Sequence, residues 1–313
     1  MTTQTSISPR AWAEMALLAL IWGASFLSIR VALDEVPVLT VVAFRVGGAA
    51  AVLWLYVLAR GLPVPRGLRL WGAFAVMGLL NNILPFSLIT WGQLHIASGL
   101  ASILNAATAI FGVAIAALVF ADERLTFRKG LGVLLGFLGV ATAVGLQNLT
   151  RFDLTSMAQW ALIGASLCYG LSSSWARAFL KGVTPQVATA GMLTMSALVM
   201  IPLALWQDGA PPLGYSPAAW SALAYLALAA SATAYLLYYR VLAAAGAGNL
   251  SFVTLLVSPV AILLGALVLG EQLRPQAYFG FALLALGLVI LDGRAWSRLR
   301  QNLRPVQDPP SAG

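Results

Sequence analysis

The chain has 313 residues, of which 60% are hydrophobic and only 9% charged, with a mean hydropathy of +0.89, whereas ordinary soluble domains carry roughly a quarter charged residues. So apolar a chain cannot cover a water-facing surface, which excludes soluble folds and reads as an integral membrane protein embedded in the lipid bilayer. The net charge of +8 would suggest nucleic acid in a soluble protein; here the positions of the charges report topology, and no nucleic-acid partner is expected.

Met1 to Arg10 is polar and leads directly into an apolar segment longer than the core of a signal peptide, so it is read as retained. Apolar segments bounded by Pro, Gly and charge then run at about 12–33, 38–59, 70–91, 98–120 and 129–146, and again at 158–178, 186–206, 218–239, 250–269 and 276–291. Each fits a ~30 Å hydrocarbon slab and is about twice the length of a barrel strand, so the expected fold is all-α with ten transmembrane helices. Ten crossings put both termini on one side. With the termini in the cytoplasm, fourteen of the eighteen basic residues fall inside, among them Arg60, Arg69, Arg124, Lys129, Arg177, Lys181 and Arg240, against Arg30, Arg151 and Arg274 outside. The reading is a multi-pass protein of the cell inner membrane, ending in a basic cytoplasmic tail at 293–313. Cys168 is the single cysteine, so there is no disulfide framework.

The two halves resemble each other at an offset of 147 to 148 residues. Trp22, Gly23, Ser25 and Arg30 fall opposite Tyr169, Gly170, Ser172 and Arg177, while Glu123, Leu125 and Gly132 fall opposite Glu271, Leu273 and Gly280. An odd number of spans per half inserts the second half upside down, the architecture of alternating-access carriers with a midplane substrate site.

The run Leu20-Ile21-Trp22-Gly23-Ala24-Ser25-Phe26, Arg45 in span two, Asp122-Glu123-Arg124-Leu125 after span four and Gly270-Glu271-Gln272-Leu273 after span nine resemble the signatures of the drug/metabolite transporter superfamily, specifically its EamA-type members. The resemblance covers about residues 12 to 292 and implies two inverted five-helix repeats, here 12–146 and 158–292. It also implies a central cavity and export or exchange of small metabolites, often amino acids. One departure is visible: the family often has a proline midway along the fourth span of each repeat, and only Pro259 supplies it, with Ile110 or Phe111 in the first half.

Polar residues inside spans should face the bundle or a wet cavity. Ser98, Ser102, Asn105, Thr108 and Gly112 draw one stripe in span four, and Ser251, Thr254, Ser258 and Gly265 repeat it in span nine. They read either as facing cavity walls or as small-residue packing surfaces. In span three, Pro85 cannot donate to the carbonyl of Asn81, leaving a free acceptor beside the amides of Asn81 and Asn82. That site would suit a substrate ammonium group, or it is a kink whose amides bond neighbouring helices; only one of the two asparagines need face the cavity. Trp22 and Tyr169, with Ser25 and Ser172 beside them, hold matching deep positions suited to a gate or stacking wall. Tyr235 is the deeper cavity residue of span eight, while Tyr238 and Tyr239 read either as cavity residues or as interfacial anchors.

Arg45 is the only charge clearly inside a span. It could attract a carboxylate, pair with Asp34 or Glu35 as the outer side closes, or bond carbonyl ends of neighbouring helices. Glu123 and Glu271 read as helix caps or partners of loop arginines. Gly132, Gly136, Gly139, Gly280 and Gly287 read as faces for helix contact. All ten acidic residues lie in tails, loops or span ends; Glu14, Asp34 and His95 remain possible proton carriers, and movement down the substrate gradient is the simpler expectation. No nucleophile turn, metal cluster or cofactor motif points to an enzyme. The expected activity is amino-acid export or exchange; the alternative is a lipid-head-group flippase or an exporter of other small metabolites or drugs.

Overall fold

The computed structural model describes residues 7–96, 98–144, 155–212, 214–269 and 275–292. Arg151, the 270–274 motif with Glu271 and Arg274, and the 293–313 tail lie outside the described residues, as does the side chain of Ser98. Among the described residues the secondary structure is entirely helical. Seven stretches are long and apolar enough to cross a membrane: Pro9–Leu33, Val38–Ala59, Leu68–His95, Leu100–Val119, Pro185–Gln207, Pro217–Ala245 and Ala247–Leu264.

Serine or threonine followed by proline starts several of these helices. In α1 (Pro9–Leu33) the Ser8 hydroxyl accepts from the Ala11 amide at 3.1 Å, satisfying one of the four donors that a helix start leaves free, while proline loses nothing at that position. α2 (Val38–Ala59) follows Pro37. The third stretch is compound: α3 (Leu68–Gly78), a π-turn at Leu79–Ile83 and α4 (Leu84–His95). Pro85 removes a backbone donor, and the Leu84 amide bonds the Leu79 carbonyl five residues back. The fourth is α5 (Ser98–Ala106) and α6 (Thr108–Val119), broken at Ala107, and α7 (Phe127–Val144) follows. Thr126 accepts from the Lys129 amide at the start of α7.

The second half repeats this grammar. α8 (Met157–Phe179) is capped by Ser156, and α9 (Pro185–Gln207) follows Thr184. α10 (Pro217–Ala227) is capped by Ser216 and runs through a second π-turn, Leu228–Thr233, into α11 (Ala234–Ala245). No proline causes this one; the Thr233 hydroxyl bonds the Leu228 carbonyl at 3.0 Å and opens the ladder. α12 (Ala247–Leu250), α13 (Val253–Leu269) and α14 (Pro275–Asp292) are the last of the described helices.

Packing pairs the halves. α1 lies against α13 and against α10 and α11; α8, in the corresponding place, lies against α6 and α4. α2 packs along α9, and α7 along α14 in the most extensive contact among the described residues. Glycines set these approaches. A Cβ at Gly23 would stand 2.6 Å from Val260 of α13, and one at the matching Gly170 would stand 3.1 Å from the Gly112 amide of α6. Along the α7–α14 seam, Cβ atoms at Gly139 and Gly280 would fall 2.5 and 2.3 Å from the backbone amides of Leu284 and Ala143. Lipid tails are as apolar as leucine, so such close backbone contact supplies dispersion energy that burial alone cannot.

Candidate functional site

Where α1, α2, the first π-turn, α4, α5, α6, α8, α11, α12 and α13 converge they leave a narrow central cavity with about 70 Å³ of water-accessible space. Its wall combines aromatic rings (Trp22, Phe26, Phe86, Tyr169, Tyr235 and Tyr238) with polar groups from Ser25, Asn81, Asn105, Thr108, Ser173, Ser251 and Thr254, and a single cation, Arg45.

Of the residues singled out from the sequence, Trp22, Ser25, Arg45, Asn81, Asn105, Thr108, Tyr169, Tyr235, Tyr238 and Thr254 come together on this wall. Asn82, Ser172 and Ser258 do not line it; they are fully buried behind it. Asn82 donates to the Ser196 hydroxyl at 3.0 Å and accepts from the Tyr235 hydroxyl at 2.6 Å. Ser172 donates to the Asn81 side-chain oxygen at 2.8 Å, and Ser258 donates to the Ser102 carbonyl at 3.1 Å, tying α13 to α5. The carbonyl freed by Pro85, that of Asn81, lies 3.2 Å from the Tyr235 hydroxyl. The first π-turn is thus enclosed in a network of neutral groups from α8, α9 and α11.

The second π-turn meets a different set. Its Ala230 carbonyl accepts from the Trp22 indole at 3.0 Å, and the Arg45 guanidinium reaches the same carbonyl at 3.5 Å and the Ser231 hydroxyl at 3.0 Å. Arg45 is 5% exposed, with its guanidinium carbon 3.6 Å from the centre of the Phe86 ring. Ser231 was not singled out from the sequence, although an offset of 149 residues sets it opposite Asn82. Phe86 and Ser173 were missed because they resemble any apolar or small-residue helix position.

Asp34, Glu35 and His95 stand apart from the cavity. Asp34 pairs with Arg30 of its own helix at 3.9 Å, and Glu35 accepts from the Ser216 amide at 2.8 Å, hydrogen bonding that lowers its carboxyl pKa. His95 is exposed at the end of α4 against Trp91. Neither acid contacts Arg45 here. Tyr238 and Tyr239 are both buried rather than set at an interface: their helix face turns inward, where Tyr238 packs on Trp22 and Tyr235, and Tyr239 donates to the Met192 sulfur.

At the end of the bundle near the α11–α12 junction, Glu123 of the α6–α7 loop reaches across to the other half. Its carboxylate accepts from the Ala247 and Gly248 amides at 2.8 and 2.7 Å and pairs with Arg177 at the end of α8. It is therefore both a cap and an arginine partner, though the helix it caps is α12 and not the one that follows it. Gly246 makes the approach possible: its φ of +87° is open to glycine, and a Cβ there would lie 2.7 Å from the Glu123 carboxylate. Asp122 also pairs with Arg177, which holds its carboxyl below the usual range.

The EamA-like transporter family model matches residues 11–145 and again 156–291. The chain belongs to the EamA-like transporter family. It is 27% identical over 302 residues to a probable terminal-alkyne amino-acid exporter of Streptantibioticus cattleyicolor, covering 96% of this chain and 98% of that one. An uncharacterized transporter of Synechocystis sp. is 22% identical over 97% of this chain and 96% of its own. One solved crystal structure matches 93% of this chain and 99% of its own with a TM-score of 0.75 at 17% identity, a likeness of fold. This EamA protein is accordingly a multi-pass membrane transporter of small molecules, and its family and relatives are transporters rather than enzymes.

Proposed function

We propose that this EamA protein exports or exchanges amino acids across the cell inner membrane by alternating access. Two inverted five-helix repeats, 12–146 and 158–292, enclose the substrate, and both termini lie in the cytoplasm. The observation that carries this reading is the cavity wall, to which both halves contribute polar groups and aromatic rings beside matching π-turns. Interrupted helices at corresponding places are where carriers bind substrate, because the loosened backbone and its neighbours supply directed polar groups at membrane depth. The pairing of α1 with α13, and of α8 with α6, supports the repeat. The name of the Streptantibioticus relative favours amino acids. No carboxylate or imidazole lines the cavity among the described residues, so flux follows the substrate gradient.

The test is counterflow in liposomes of purified protein with a labelled amino-acid panel, with and without an imposed pH gradient. Saturable exchange without the gradient is expected. Movement of labelled lipid with no soluble substrate would replace this reading with a flippase.

A further inference from the structure

We propose that Arg45 is the carboxylate anchor of the transported molecule, whose substrates are small organic acids carrying a second polar group, α-amino acids foremost. The inference rests on the carrier reading above and goes beyond it by assigning the head group and the residue that holds it.

Arg45 lies on the cavity wall, is 5% exposed, and forms no ion pair with any described residue. A guanidinium offers five N–H donors in a planar fork. Here Nε is engaged by Ser231 and Nη2 reaches the Ala230 carbonyl at the limit of bonding distance; the other donors have no partner among the described residues. A cation withdrawn from water needs a counter-charge, and the Phe86 ring face supplies only part of one. Asp34 and Glu35, the acids of the loop before α2, are engaged with Arg30 and with Ser216. The anion must therefore arrive with the ligand. A planar fork with donors to spare matches a carboxylate in two-point contact better than it matches a point charge.

The opposite requirement is met on the same cavity wall. The Thr108 hydroxyl is buried on the same wall, Thr108 being 3% exposed, and has no hydrogen-bond partner. The Tyr238 hydroxyl makes no hydrogen bond of good geometry either; Ser172 directs its own hydrogen to Asn81 or the Tyr169 carbonyl, so the Tyr238 oxygen keeps its acceptor capacity. The Asn105 side chain, also on the wall, makes no hydrogen bond to the described residues. Hydroxyl and amide oxygens accept as well as any neutral group, so these three suit an ammonium or hydroxyl of the same molecule. Buried polar groups left unmatched in a native structure call for such an explanation. A carboxylate at one point and a donor at the other, with aromatic rings around the remainder, describes an amino acid with an apolar side chain.

The experiment uses the full chain in phosphatidylcholine liposomes free of anionic lipid. Counterflow of L-phenylalanine and L-leucine is compared with that of phenethylamine and isoamylamine, which keep the side chain and amine but lack the carboxyl. The amines are expected to exchange about tenfold more slowly or worse, the scale of one lost charge-assisted contact. Only the amino acids should raise the thermal midpoint of the wild-type protein in detergent. Arg45→Met should lose amino-acid exchange by about tenfold or more with an unchanged midpoint, and Arg45→Lys should recover part of it. Should Arg45→Met fail to fold, the two wild-type comparisons still decide. Amines exchanging as fast as amino acids would overturn the anchor and leave the carrier standing. Exchange of neither class would overturn both.

Discussion

Among the described residues two arginines lie over phenylalanine rings, Arg45 at 3.6 Å from Phe86 and Arg177 at 4.3 Å from Phe120. Their charges are treated in opposite ways. Arg177 sits at a helix end, 26% exposed, with Asp122 and Glu123 both upon it. Arg45 is more deeply buried and has a hydroxyl and a carbonyl. An aromatic face over the guanidinium is common to both, so that feature does not distinguish a structural arginine from a binding one. The distinguishing feature is whether the chain supplies the counter-charge. At Arg177 the matter is closed within the protein, and the result is a strap between the halves; at Arg45 it is left open to the cavity.

That contrast can be broken at its closed side first. Glu123→Ala should have the largest effect, since it orphans two backbone amides of α12 as well as one partner of Arg177. A loss of about 3 kcal/mol is expected, read as a fall in the detergent melting midpoint. Acid acts on the other partner. The Asp122 carboxyl is lowered by its bond to Arg177, so the stability it contributes is present above the ordinary carboxylate range and lost only as pH falls through that lowered value. Between pH 6 and 8, roughly the range of flux assays, this ion pair should therefore stay charged, and melting midpoints measured across that window should show no pH dependence arising from it.

A second, smaller contrast lies within one helix of the cavity wall. Tyr235→Phe removes a hydroxyl that contacts both the Asn81 carbonyl and the Asn82 side chain, and should cost about 1–2 kcal/mol of stability. Tyr238→Phe removes a buried hydroxyl with no partner, and should leave the melting midpoint unchanged or raise it, by up to about 1 kcal/mol. If Tyr238→Phe nevertheless alters substrate affinity in counterflow, the hydroxyl faces the ligand. A stability loss equal to that of Tyr235→Phe would mean the two tyrosines play the same part.

Much of this was legible before the structure. The Trp22-Gly23-Ser25 and Tyr169-Gly170-Ser172 pairs repeat because each glycine admits a neighbouring helix, and each serine bonds the carbonyl three residues back. Position along a helix also sufficed to bring Trp22, Asn105 and Tyr235 to one wall. The second π-turn was not legible, because a threonine bonding five residues back leaves no mark on composition or spacing. Nor was the cap on α12: a loop carboxylate can find any helix start within reach, and only the folded chain selects the one at Ala247. The inward turn of Arg45 was equally hidden, since a long side chain in the first turns of a span can also leave the bundle, and it is Ser231, the Ala230 carbonyl and the Phe86 ring that keep it in.

The glycine seam between α7 and α14 bears on which sequences this fold can accept. At Gly139, Gly280 and Gly287 the first carbon of any side chain would land on the partner's main chain, which has no rotamer with which to yield. At Gly67, Gly72 and Gly130 the same atom would meet nothing within 4 Å. In a saturating library selected for folded protein, the first three positions should therefore stay invariant while the last three drift, so the seam would be written in the variant counts as clearly as in the coordinates.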